Sequence, residues 1–136
     1  MIPRYSRPEM ARLWSDETRF GKWLEVEIAA TEVLAERGIV PPEALAAIRE
    51  RARFEVKRIE EIEREVQHDV IAFVSCVVEH VGPEGRWLHY GLSSSDVVDT
   101  ALAMLVRDAC DLIRPALQGL MDVVREKAFR HRHAPM

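Results

Sequence analysis

The 136-residue sequence predicts an all-α protein. Three observations carry that prediction. Ala, Leu, Glu and Arg abound while Gly contributes only 6 residues, no stretch sustains the alternation of a strand, and apolar residues recur at three- and four-residue steps over long windows. Hydrophobic residues make up 48% of the chain, enough to build a core where packing partners exist, which argues against disorder.

The elements follow in order. Asp16 reads as the capping residue of a first helix whose apolar face takes Phe20, Trp23, Leu24, Glu27, Ile28, Thr31 and Leu34, and Gly38 stops it. Pro41 and Pro42 open a second, short helix through Leu45 and Ile48 to about residue 52, because proline is tolerated in a first turn. A charge-rich helix spans residues 56–66, with runs such as RIEEIERE forming a solvated face with local ion pairs. It breaks at Gln67, His68 and Asp69. Val70, Ile71, Phe73, Val74, Val77 and Val78 then form an apolar helix that ends around Gly82 and Pro83.

After a turn at residues 82–85 and the segment RWLHYGLSSSD, one long helix runs from about residue 96 past residue 127. Val98, Leu102, Leu105, Ala109, Leu112 and Ala116 form one apolar stripe, and Val106, Ile113 and Leu120 a second with a seven-residue repeat, which predicts burial on more than one side. Pro115 inside this pattern predicts a kink or a gap in the helical hydrogen bonding. Such a helix is about 50 Å long at 1.5 Å per residue and needs partner helices from elsewhere. The tail RHRHAPM carries no cap, so the expectation is a chain cut short after Met136. The organisation expected is an N-terminal helical domain over residues 1–92 and the first, truncated long helix of a central helical domain over 93–136.

Charge and cysteine usage exclude several function classes. The 19 Lys and Arg nearly balance the 23 Asp and Glu, so no basic field points at nucleic acid or an anionic membrane. The N-terminal MIPRYSRPEM lacks an apolar run, and the chain reads as soluble, unexported and cytoplasmic. Cys76 and Cys110 both sit in apolar helical contexts and read as reduced core thiols. His131 and His133 lack the spacing of a helical metal pair, and His80 and Trp87 read as packing or turn residues.

Three polar clusters stand out: Arg4-Tyr5-Ser6-Arg7, Gln67-His68-Asp69, and the run from His89 and Tyr90 through Gly91 to Ser93, Ser94, Ser95 and Asp96. Each falls at a helix end or break. The third leads into the start of the long helix, where free N–H groups and the dipole favour an anion and serine hydroxyls add donors. A plain capping box of Ser93 with Asp96 accounts for part of the same pattern, yet a cap needs only one serine. His68 reads either as a hydrogen-bonded structural residue or as an imidazole aimed at a ligand. Arg4 and Arg7 read either as a frayed terminus or as a forked grip on phosphate.

Taken in order, RYSRPEM, QHDVIAF and HYGLSSSDVVDTA resemble the adenylosuccinate lyase family of the fumarase/aspartase superfamily, across the whole chain. The resemblance implies a β-elimination that releases fumarate from adenylosuccinate to leave AMP, and the same cleavage of the succinyl-carboxamide ribotide in purine biosynthesis, with no cofactor and no metal. It also implies a homotetramer whose active sites are shared between subunits. By matching positions it places Arg4 and Tyr5 on the nucleotide, Gln67, His68 and Asp69 along the substrate pocket, and Ser93 and Ser94 on substrate oxygens. His68 assists proton transfer or holds substrate, and His89, Ser95 and Asp96 are supporting candidates. Ser93 stands where many relatives carry threonine, and Gln67 where some carry a basic residue. The family's histidine acid and serine base belong to segments absent from these 136 residues, so the fragment is expected to be inactive alone. Two other readings compete: a lyase acting on argininosuccinate or a related succinyl compound, and a non-catalytic helical interaction module.

Overall fold

A computed structural model describes residues 2–135, which form six α-helices and two short 3-10 turns, with no strand among the described residues. The helices are α1 (Pro8–Leu13), α2 (Asp16–Glu36), α3 (Pro42–Arg51), α4 (Val56–Val66), α5 (Asp69–Val81) and α6 (Ser94–Arg130). The 3-10 turns, Pro3–Tyr5 and Pro83–Trp87, precede α1 and follow α5.

The start of α2 differs by one residue from the sequence expectation. Ser15, not Asp16, is the cap: its Oγ accepts a hydrogen bond from the Thr18 N–H at 3.3 Å. Asp16 is instead the first helical residue, where its charge meets the positive end of the helix dipole and pairs with Arg19 at 2.8 Å.

The core gathers around aromatic rings. Phe20 stacks on Phe73 with ring centroids 5.7 Å apart, and Trp23 packs edge-on against both, at 5.1 and 5.5 Å. Ile48, Ile59, Ile62, Val70, Cys76 and Val77 join the same cluster, as do Val97 and Ala101 of α6, so α2 to α6 bury one continuous apolar interior. On the outer face of the α4–α5 pair, the Arg58 guanidinium forks onto Glu79 at 2.7 and 3.0 Å and reaches Glu61 at 3.0 Å. Gly85 lies so close to α5 that a Cβ there would meet Cγ2 of Val78 at 2.9 Å, which fixes how the chain leaves that helix.

Helix α6 is continuous for 37 residues, about 55 Å, and is not interrupted at Pro115, whose missing N–H leaves the Asp111 carbonyl without its helical partner. Only its first four turns are covered. Val97, Ala101, Leu105 and Ala109 are its buried residues and recur every fourth position, whereas all of residues 110–135 are exposed. Within this chain the burial of α6 is a single stripe that stops at Ala109, and the second stripe has no cover among the described residues. Leu102, Val106, Leu112, Ile113 and Leu120 of the two predicted stripes stand in solvent. Cys110 lies just past that limit and is exposed, unlike Cys76, so only one of the two thiols is in the core. No described helix is long and apolar enough to cross a membrane.

Candidate functional site

The Gln67-His68-Asp69 break is built by backbone geometry. Gln67 adopts a left-handed conformation (φ 55°) that ends α4, and its side-chain amide donates to the Arg64 carbonyl at 2.9 Å. His68 then returns to extended backbone and caps α5, with Nδ1 accepting from the Ile71 N–H at 3.3 Å. An accepting Nδ1 carries no proton, so the neutral ring holds its hydrogen on Nε2. Asp69 Oδ1 accepts from the Val70 N–H at 2.7 Å and lies 3.5 Å from His68 Nδ1, ready to pair with that ring when it is protonated. His68 and Asp69 are both about half exposed, at 45% and 49% of their side-chain surface.

The start of α6 is a complete capping box. The Ser93 Oγ accepts from the Asp96 N–H at 3.4 Å, while Asp96 Oδ2 accepts from the Ser93 N–H at 2.7 Å and from the Ser93 hydroxyl at 2.8 Å. Those bonds, the backbone one foremost, hold the Asp96 carboxyl below its usual range. A depressed pKa contributes stability above the ordinary carboxylate range that is lost as pH falls through the lowered value. Ser93 and Asp96 are thus engaged with each other, while Ser94 and Ser95 keep hydroxyls that make no hydrogen bond to described residues. Ser93→Ala is expected to cost about 1 kcal/mol of stability, read as a lower unfolding midpoint of this chain by circular dichroism. An unchanged midpoint would show that the cap contributes nothing.

At the N-terminus, Arg4 Nη2 donates to the Tyr5 hydroxyl at 3.0 Å and its guanidinium stacks 4.7 Å from the centroid of that ring. Both side chains are exposed. Arg7, just beyond, lines a groove with Met10, Leu112, Ile113, Leu117 and Leu120.

The clusters lie at different levels of the helical body. Phe73, one turn into α5, meets Phe20 and Trp23 near the start of α2. At the other end, Arg51 donates to the Val81 carbonyl and Arg49 pairs with Glu32. The first turn of α5 thus meets the start of α2 through Phe73. Lys22, near that same start, reaches Asp108 at 3.5 Å. Ser94 is 14 residues before Asp108 on α6, roughly 21 Å up the helix. Arg7, whose groove takes in Leu112 and Leu120, and the serine cap therefore lie at well-separated levels of α6.

One charged residue that sequence reasoning did not single out as a site residue ties the serine end together. Glu27 is 1% exposed on α2, and both its carboxylate oxygens are spent on His89. Oε2 accepts from the His89 backbone N–H at 2.7 Å and Oε1 from the His89 ring Nδ1 at 2.6 Å. His89 itself has φ 59°, and Gly91 follows at φ 75°, so the loop into the capping box is bent twice through the left-handed region. The signal was a glutamate on an otherwise apolar stripe.

Solved structures with this arrangement of helices define the class. The chain superposes on a fumarate lyase from Mesorhizobium sp. BNC1 with a TM-score of 0.86 and 27% identity, over 97% of this chain and 33% of that one. It also matches the 3-carboxy-cis,cis-muconate lactonizing enzyme from Pseudomonas putida at a TM-score of 0.83 and 29% identity, over 93% of this chain and 30% of that one. The fold is the helical domain of a fumarase/aspartase-type lyase, leading into a long bundle helix. A family model described as Lyase matches residues 4–136, and the chain belongs to that family.

Among curated proteins it is 50% identical to the adenylosuccinate lyase of Bacillus subtilis (strain 168) and 48% identical to that of Streptococcus mutans serotype c, in each case over 136 residues. Those alignments take in 100% of this chain and 32% of either relative, so the chain spans about a third of the length of the proteins it matches.

Proposed function

We propose that the full-length protein cleaves adenylosuccinate to AMP and fumarate, and the succinyl-carboxamide ribotide to its carboxamide ribotide and fumarate, as a step of purine biosynthesis. The observation that carries this reading is the 50% identity to an adenylosuccinate lyase, sustained over all 136 residues.

The reaction is a β-elimination. A base takes the carbon-bound proton beside a carboxylate, the resulting dianion is held by positive donors, the carbon–nitrogen bond breaks, and an acid gives the departing nitrogen its proton. In this reading Arg4 and Tyr5 hold the nucleotide, Gln67, His68 and Asp69 line the pocket, and Ser93 and Ser94 bond to succinyl oxygens. His89, Ser95 and Asp96 support them. His68 suits either of its two roles, because a half-exposed ring with a free Nε2–H donates a hydrogen bond when neutral and a proton when charged.

The separation of roughly 27 Å along α6 between Leu112, where the groove beside Arg7 begins, and the serine cap favours sites completed by neighbouring subunits of a homotetramer. The bare turns of α6 suit a central helical domain that begins at residue 93, after an N-terminal domain over residues 1–92. With the principal acid and base on other segments, residues 1–136 alone are inactive.

The test follows adenylosuccinate cleavage by ultraviolet absorbance, with the full-length protein and with residues 1–136 side by side. Fumarate release by the first and none by the second is the expected result. A full-length protein that leaves adenylosuccinate intact would sink the substrate assignment, and an active fragment would sink the claim that its acid and base lie elsewhere.

A further inference from the structure

A carboxylate in an apolar core is costly unless every lone pair facing the interior is satisfied by a good donor. Glu27 meets that condition in an unusual way. Thr31, one turn on, bonds to the Glu27 backbone carbonyl at 2.7 Å and not to its side chain, so both carboxylate oxygens are left to one residue 62 positions away. A core that needed only volume at this place would be served by an apolar side chain. The pair instead does two things to His89: the backbone bond holds a left-handed conformation that L-residues adopt rarely, and the ring bond sets its orientation.

The ring bond also sets the tautomer. A carboxylate only accepts, so the His89 nitrogen that faces it, Nδ1, must carry a hydrogen. The other nitrogen, Nε2, makes no hydrogen bond to a described residue, and the side chain is 18% exposed, so the ring is held from behind and presents one edge. From His89 the chain passes through Gly91 straight into the Ser93 capping box.

We infer that Glu27 is a positioning residue that acts through His89, fixing the imidazole as the Nδ1–H tautomer with Nε2 left for the substrate, and anchoring the loop that delivers the serines of α6. This rests on the lyase reading above. It gives a buried glutamate that touches no substrate a part in turnover, through a ring already among the supporting site residues.

Two substitutions in the full-length enzyme test it. Glu27→Gln keeps the shape but has one oxygen for two donors, so when that oxygen takes the backbone N–H its NH2 group faces Nδ1 and forces the opposite tautomer. His89→Asn places an amide N–H where Nδ1–H stood and so keeps Glu27 satisfied, while removing Nε2. Both are expected to lower kcat for adenylosuccinate cleavage by roughly 10- to 100-fold, as misplacing a single group does, with KM changed much less. His89→Asn should melt close to the wild type. The double variant should be no slower than His89→Asn alone, because both changes act on one ring.

Wild-type kcat in Glu27→Gln with a lowered melting point would make Glu27 purely structural and overturn the inference. Losses that multiply in the double variant would overturn it as well. If Glu27→Gln does not assemble, His89→Asn decides alone, since wild-type turnover there would leave Nε2 without a role. A wild-type enzyme inactive on adenylosuccinate is a separate result, seen in the control, and would remove the reading on which the inference rests.

Discussion

His68→Ala in the full-length enzyme is expected to lower fumarate release from adenylosuccinate by roughly 100-fold or more, the usual contribution of a positioned acid–base group. The difficulty in reading such a loss is that His68 also caps α5, through the Ile71 N–H. Removing a cap costs about 1 kcal/mol and would weaken the helix start even if the ring had no chemical part. His68→Asn separates the two. Asparagine is among the best capping residues and keeps an acceptor for that N–H, but it has nothing where Nε2 stood. Both variants should lose turnover, and only the alanine variant should lose thermal stability. An asparagine variant with wild-type kinetics would reduce His68 to a cap.

Phe73→Ala is expected to cost about 3 to 5 kcal/mol, near the whole stability of a small domain at the low end of the usual range. Phe73 is 0% exposed and touches Phe20, Trp23 and Phe54, with centroids between 5.5 and 6.0 Å. Its removal opens a cavity that three rings line, and none of them can collapse into it without losing its own packing. The matched control is Ile113→Ala on the bare part of α6, where the side chain is exposed and the cost in this chain should stay within about 0.5 kcal/mol. Urea unfolding of this chain followed by circular dichroism measures both. Equal shifts of the two midpoints would contradict the placement of the core.

The contrast between these two residues shows what local sequence does and does not specify. The charge-rich helix of residues 56–66 and the polar break after it were legible because periodicity and turn chemistry are properties of neighbours, and both stand where expected. Helix α1 was not, being six residues long with none buried, too short to show a period. Ser15 and Asp16 are equally good caps, and only the Thr18 N–H chooses between them. Leu112, Ile113 and Leu120 are as apolar as any core residue. Their periodicity says that they would profit from cover without saying where that cover comes from.

The site divides in the same way. The residues of each cluster could be read from the sequence because they are adjacent in it. Their relative positions could not, since the distance between the serine cap and the His68 turn depends on how α2, α5 and α6 lie together. Glu27 was counted into the apolar stripe of its helix, and its partner 62 residues later is beyond the reach of any spacing rule. Pairings of that kind are set by the tertiary fold.

Helix α6 has a further consequence for the order in which the protein is made. A ribosome releases the chain from its N-terminus, and domains acquire structure as they emerge. The packing partners of Val97, Ala101, Leu105 and Ala109 lie earlier in the sequence, so the first four turns of α6 find a surface already waiting. The turns after Ala109 stay exposed, with only the shallow groove beside Arg7 and Met10 alongside them. Helices without tertiary support are only marginally stable in water, so that stretch would remain a fluctuating amphipathic segment during synthesis. Its exposed Leu117, Leu120, Val124 and Phe129 would, for that interval, offer a chaperone an apolar surface to hold.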